Sequence, residues 1–142
     1  MTNAEPWASL ISSTDILWLY GEGIKRKGGT GSHSQPGCVD GALGAAYNAE
    51  LYSMPEMNDE QVISGLIFCG CLMFYLITKH CWVDGNKRVA WESAMWILLK
   101  QGLTVQVSDD DAEKFCLSIA SGEVKSAEEV ILWIADRLSP VV

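Results

Sequence analysis

An all-α fold with two buried central helices follows from three features of the sequence. Apolar residues recur at helical spacing in segments between residues 13 and 138; two of those segments are apolar on nearly every side; and strand-like alternation is confined to residues 104–107. A short strand or hairpin is the most β structure this allows. The length, 142 residues, suits one domain spanning 1–142.

The first helix opens at Ser13 or Thr14, carries Ile16, Leu17 and Tyr20, and is expected to stop at Gly21. Residues 21–37 then hold six glycines with Lys25, Arg26, Lys27, His33 and Pro36, which is loop chemistry. Such a basic loop in an acidic protein serves either as a flap that docks phosphate or a target, or as solvated surface. Beyond Pro36-Gly37, the spacing of Val39, Leu43, Tyr47 and Leu51 places them on one helical face that ends near Tyr52. Asn58 or Asp59 can cap the third helix, which stays apolar all round from Leu66 to Ile77.

A polar loop at 81–85 separates it from a fourth, similarly apolar helix that starts near Asn86 and ends at Lys100 before Gly102. After the strand at 104–107, Ser108 and the run Asp109, Asp110, Asp111 cap a helix to about Ala120. Ser126 and Glu129 form an S-x-x-E capping box that opens a last amphipathic helix to about Leu138. The six tryptophans, Trp91, Trp96 and Trp133 among them, fall on apolar helical faces and read as core.

Composition narrows the function. Ten Lys plus Arg against eighteen Asp plus Glu give a net charge of −8, which disfavours direct nucleic-acid binding. The membrane-like stretch 62–77 is shorter than the roughly 20 residues a bilayer span needs, so it reads as a core helix and no membrane partner is expected. Five cysteines, an odd number, behind an N-terminus without the look of a secretory signal suggest reduced thiols in the cytoplasm. Cys69 and Cys71 lie about 200° apart around a helix, so they cannot share a metal and read as buried thiols.

The segment His80-Cys-Trp-Val-Asp84-Gly-Asn86-Lys87-Arg88 departs from a generic bundle. Lys87 and Arg88 sit in the first turn of a helix, where free backbone N–H groups already carry partial positive charge, so cations there cost free energy unless an anion answers them. Gly85, Asn86, Lys87 and Arg88 together form a phosphate-binding pattern: amides and Asn donate, Lys adds a point charge and Arg a bidentate fork. Asp84 would repel a phosphate directly, but one carboxylate beside phosphates suits Mg²⁺. His80, at the end of the preceding helix, is the residue type best suited to moving a proton at neutral pH.

These residues resemble the signature H-x-F-x-(D/N)-(A/G)-N-K-R of the death-on-curing (Doc) toxins, the kinase-like branch of the Fic superfamily. The only departure is Trp82 for the usual Phe, one aromatic for another. The order of helices, the segment Ser34-Gln35-Pro36-Gly37, the stretch 102–107 and the chain length are similar as well. The resemblance implies a Fic/Doc-type helical bundle in which ATP and Mg²⁺ serve to phosphorylate a Ser or Thr hydroxyl of a protein, arresting growth as the toxin of a toxin–antitoxin pair. It implies His80 as base, Arg88 as the group that neutralises developing charge, Gly85, Asn86 and Lys87 as the phosphate cradle and Asp84 as metal ligand. A small antitoxin segment that folds on the toxin and a translation elongation factor as target are implied partners.

Wider Fic proteins follow H-x-F-x-(D/E)-G-N-G-R-x-x-R. Here Lys87 replaces the glycine and Trp91 the second arginine, which resembles the Doc arrangement and prefers phosphorylation to AMP transfer. The inhibitory (S/T)-x-x-x-E-(G/N) pattern is absent: Glu22 precedes Gly23, but Trp18 stands four residues earlier. The alternatives are an AMP-transferring Fic enzyme and a catalytically silent interaction module.

Overall fold

The computed structural model describes residues 6–29, 31–52 and 64–141. A short 3-10 turn, Trp7–Leu10, precedes helices α1 Ser13–Lys27, α2 Cys38–Tyr52, α3 Ser64–Thr78, α4 Asn86–Lys100, α5 Asp109–Ala120 and α6 Ala127–Arg137. Strand β1, Leu103–Val105, pairs antiparallel with β2, Leu138–Pro140. The fold is all-α, as expected, with a sheet that only ties the chain's end to the exit of α4. The caps proposed at Asn58 or Asp59 lie outside the described residues.

Helix α3 is the centre, packed against α2, α4, α5 and α6. Its sequence leaves no polar face, and Leu66, Ile67, Phe68, Leu72, Met73 and Leu76 are all sealed from solvent. Burial of each such side chain favours folding by about 1.5–3 kcal/mol. Gly70 lets α6 come close: a Cβ there would sit 2.5 Å from Ile131 Cγ1. No helix among the described residues is long and apolar enough to cross a membrane.

Helix α1 starts behind Ser12, whose hydroxyl accepts from Asp15 N–H while the Asp15 carboxylate accepts from Ser12 N–H. It does not stop at Gly21. Each interior glycine costs about 1 kcal/mol of helix propensity, but Leu19, Tyr20 and Gly23 are buried against the core. Lys25, Arg26 and Lys27 then complement the helix C-terminus. The basic triplet is thus a helix end and not part of a loop.

Helix α2 also departs from expectation. Its buried row is Val39, Ala42, Ala46 and Glu50, whereas Tyr47 and Leu51 are about 40% exposed. Small side chains were chosen for the inside because α2 packs closely on α3; size, which periodicity ignores, decided the face. Glu50 is buried with them, accepting Trp7 N–H at Oε2 while Oε1 has no partner among the described residues. Burial raises its pKa above the ordinary carboxylate value.

Caps at Ser108 and Ser126 are formed as expected, with Asp111 and Glu129 N–H as donors. The Glu129 carboxylate reaches past the cap to Lys125 N–H. Trp7 and Trp82 are core, but Trp18 is 56% exposed and is not. Cys69, Cys71 and Cys116 are buried free thiols, with burial raising Cys69 and Cys116 to about 12 and Cys71 to about 11. The expectation of reduced thiols throughout is corrected by a Cys38–Cys81 disulfide, which spans 43 residues of sequence. By chain entropy a loop of that size restricts the unfolded chain by about 4 kcal/mol.

Candidate active site

The motif loop runs from the end of α3 to the start of α4. Helix α3 ends at Thr78, so His80 lies beyond it, in a turn, with φ of 53° in the left-handed region that few non-glycine residues adopt. Trp82 inserts into the core and stacks on Tyr20, ring centroids 4.3 Å apart and nearly parallel. Gly85 forms the left-handed N-cap of α4, where its φ favours glycine, and a Cβ on it would crowd Tyr20 Cε1 at 3.1 Å.

Asn86 is buried, and its amide is committed to the loop. Trp82 N–H donates to Oδ1 at 3.0 Å, and Nδ2 donates to Trp82 O at 2.8 Å. That pairing fixes the amide's orientation and aims Nδ2 at His80 Nδ1, 3.3 Å away. The hydrogen-bond pattern therefore assigns His80 Nδ1 as acceptor and puts the proton of the neutral ring on Nε2. The ring as a whole is exposed.

Arg88 and Lys87 begin α4 side by side but are bound differently. Arg88 Nη1 donates to Gly23 O at 2.8 Å, its side chain lying across α1 where a Cβ on Gly23 would come within 3.0 Å of Arg88 Cδ. Part of the guanidinium's charge is thus answered by a carbonyl of α1. Lys87 is exposed and makes no hydrogen bond or ion pair among the described residues.

A cleft of about 450 Å³ opens at this helix start. Its floor is Gly85, Lys87 and Arg88, joined by Lys27 from the end of α1. The facing wall is Asp109, Ala112, Glu113 and Cys116 of α5, with Trp91 and Glu92 between. Trp91 is held edge-on to Trp133, itself stacked on Phe115 at 4.0 Å. Glu92 pairs with Arg26 at 2.8 Å.

The structure thus brings together Gly85, Lys87, Arg88 and Lys27, and it sets His80 and Asp84 at the loop outside the cleft lining. Asp84 is exposed, its Oδ2 3.2 Å from where a Cβ on Gly29 would be. An exposed carboxylate with no hydrogen bond or ion pair among the described residues fits one Mg²⁺ ligand, the remaining ligands coming from phosphate and water. Among the described residues no cluster of three metal-ligating side chains exists. Lys25 pairs with Glu22 at 3.2 Å, and His33 is exposed in the segment 31–37; neither lines the cleft.

Sequence reasoning missed the α5 wall. Asp109 was sufficiently explained as a capping residue, and nothing in the linear pattern places Glu113, one turn on, opposite Lys87.

A comparison with curated proteins finds no match. A family model described as the Fic/DOC family matches residues 10–98, from the last residue of the 3-10 turn to near the end of α4 and including every residue of the motif loop. With more than half of its length matched, the chain belongs to the Fic/DOC family.

Proposed function

We propose that this protein phosphorylates a hydroxyl on a protein substrate with ATP, in the manner of the Doc branch. Family members generally transfer nucleotide-derived groups onto proteins; the finer assignment rests on the floor of the cleft. Lys87, Arg88 and Lys27 converge there on the free N–H groups of α4, while Trp91 occupies the wall where AMP-transferring relatives are expected to carry a second arginine. A floor of three cations suits the terminal phosphates, with the carboxylates of Glu92, Asp109 and Glu113 on the other sides of the cleft, and the indole at Trp91 offers no second diphosphate clamp.

Lys87 and the amides of the α4 start would orient the phosphates, and Arg88 would neutralise charge developing on the transferred group. Asp84 would hold Mg²⁺, which when bound offsets phosphate charge. His80 would accept the hydroxyl proton, a contribution of about 10²–10⁴ in rate. In the present arrangement its Nδ1 lone pair faces Asn86. A half-turn of the exposed ring about Cβ–Cγ would free that nitrogen from Asn86. An antitoxin segment and a translation elongation factor remain the partners this reading implies, in the cytoplasm.

ATP labelled separately at the α and γ positions, incubated with the protein and cell extract, tests the proposal. Transfer of the γ label alone supports it. Transfer of the α label assigns AMP transfer instead, and transfer of neither label leaves the chain an interaction module.

A further inference from the structure

We propose that Cys38–Cys81 is a redox-exchange site, opened by a small thiol, whose opening releases the segment 31–37 from the loop that carries His80. The disulfide lies one residue from His80 and joins the first residue of α2 to the motif loop. The segment before Cys38 is zipped to that loop by few other bonds. Gln35 N–H donates to Cys81 O at 2.9 Å, Gln35 Nε2 to His80 O at 3.4 Å, and Val83 N–H to Ser32 Oγ at 3.5 Å. The two side-chain bonds are solvent-exposed and long, and Ser32 N–H also donates to the Tyr20 hydroxyl at 3.3 Å, so around Gln35 the covalent link and the one backbone bond are the main hold on the segment.

The motif loop does not depend on that link for its own placement. Trp82 is stacked on Tyr20 and hydrogen-bonded twice to Asn86, with all three side chains buried. Breaking the disulfide therefore frees one partner, the segment, and leaves the other in place. Access is asymmetric as well: Cys81 is fully buried while Cys38 is only partly buried, so Cys38 is the side from which a thiolate can approach. The other three cysteines are buried and hold their protons up to about 11 or 12, so none competes as a nucleophile.

The exchange balances without another reactant. A thiolate RS⁻ attacks Cys38 Sγ, the S–S bond breaks, and its electron pair leaves on Cys81 Sγ. A second RS⁻ attacks the mixed disulfide, giving RSSR and the Cys38 thiolate, and the two protons of the two RSH end on the cysteines. The protein disulfide is reduced by two electrons and the thiols are oxidised. With its carbonyl tie to Gln35 slackened, His80 is held by Asn86 alone; this consequence rests on the reading of His80 as the base, whereas the exchange does not.

The experiment equilibrates the full chain with reduced and oxidised glutathione, then reads thiols by alkylation and mass, and backbone protection by hydrogen exchange. Two added thiols at Cys38 and Cys81 are expected in the folded protein, with exchange at the Gln35 amide rising about tenfold or more and α3 and α4 unchanged. The variant Cys38→Ser should reproduce the reduced pattern under all conditions. The proposal is overturned if the bond resists glutathione until denaturant is added, if α3 loses protection when it opens or in Cys38→Ser, or if Gln35 exchanges at the same rate in both states. None of these readouts involves nucleotide, so failure here and failure of the transfer assay are separate events.

Discussion

At the His80 end of the motif, the carbonyls of residues 80, 81 and 82 each accept a hydrogen bond, from Gln35 Nε2, Gln35 N and Asn86 Nδ2. At the other end Lys87 stands in the cleft with no hydrogen bond or ion pair among the described residues. The first arrangement fixes the backbone that carries a reactive ring; the second leaves a charge available for something that comes and goes. Arg88 belongs to both, one nitrogen tied to Gly23 O while the residue also lines the cleft. Positioning and binding have thus been divided along nine residues, and substitutions at the two ends should fail in different ways.

The largest effect is expected at the positioned ring. His80→Asn keeps a side chain that tolerates the left-handed backbone, so phosphotransfer should fall by about 10²–10⁴ with the thermal midpoint unmoved. Unaltered transfer kinetics would remove the imidazole from the chemistry. Next comes Asn86→Ala, which strands the buried N–H and C=O of Trp82; each orphaned group costs about 1–3 kcal/mol, visible as a lower midpoint in urea unfolding. A stable Asn86→Ala protein with weakened nucleotide binding would mean that Asn86 is a ligand and not a brace.

At the free end, Lys87→Ala should lower ATP affinity by about tenfold while leaving urea unfolding within about 0.5 kcal/mol of the parent, as for surface changes. Equal loss of stability in the two variants would erase the division between the ends.

The smallest effect lies away from the motif. The pKa of Glu50 is raised in the folded protein by burial, so its contribution to stability is fullest below the ordinary value of 4.5 and is lost as pH rises through the folded value. Glu50→Gln lacks that loss. Unfolding measured at about pH 4 and about pH 8 should show the variant gaining on the parent as pH rises; a constant difference would mean the carboxylate pays no desolvation cost.

The helices and the motif loop were legible because their signals are local: caps at Ser108 and Ser126, a glycine N-cap at residue 85, and an unbroken apolar run in α3. What escaped depended on partners distant in sequence. Gly21 read as a helix stop because what carries the helix past it is tertiary: Gly23, one half-turn on, is buried and meets Arg88, 65 residues away in sequence. Of the row Val39, Leu43, Tyr47 and Leu51 only the first two pack on the core, because large apolar residues outweigh alanines in a periodicity while close packing on α3 prefers Ala42 and Ala46. The Cys38–Cys81 bond and the acidic α5 wall are tertiary facts without a linear signature. In the site, the loop could be read but the Arg88–Gly23 contact could not: the charge of Arg88 is partly answered by a carbonyl 65 residues away and not by an anion alone.

The central claim is that phosphates come to rest at the start of α4. A crystal structure with a non-hydrolysable ATP analogue and Mg²⁺ tests it most directly. The account predicts the terminal phosphates against the N–H groups of residues 86–88, with Lys87 Nζ and the free side of Arg88 in contact and the metal on Asp84. An analogue bound elsewhere, with Lys87 still in solvent and Arg88 engaged by Gly23 alone, would contradict it.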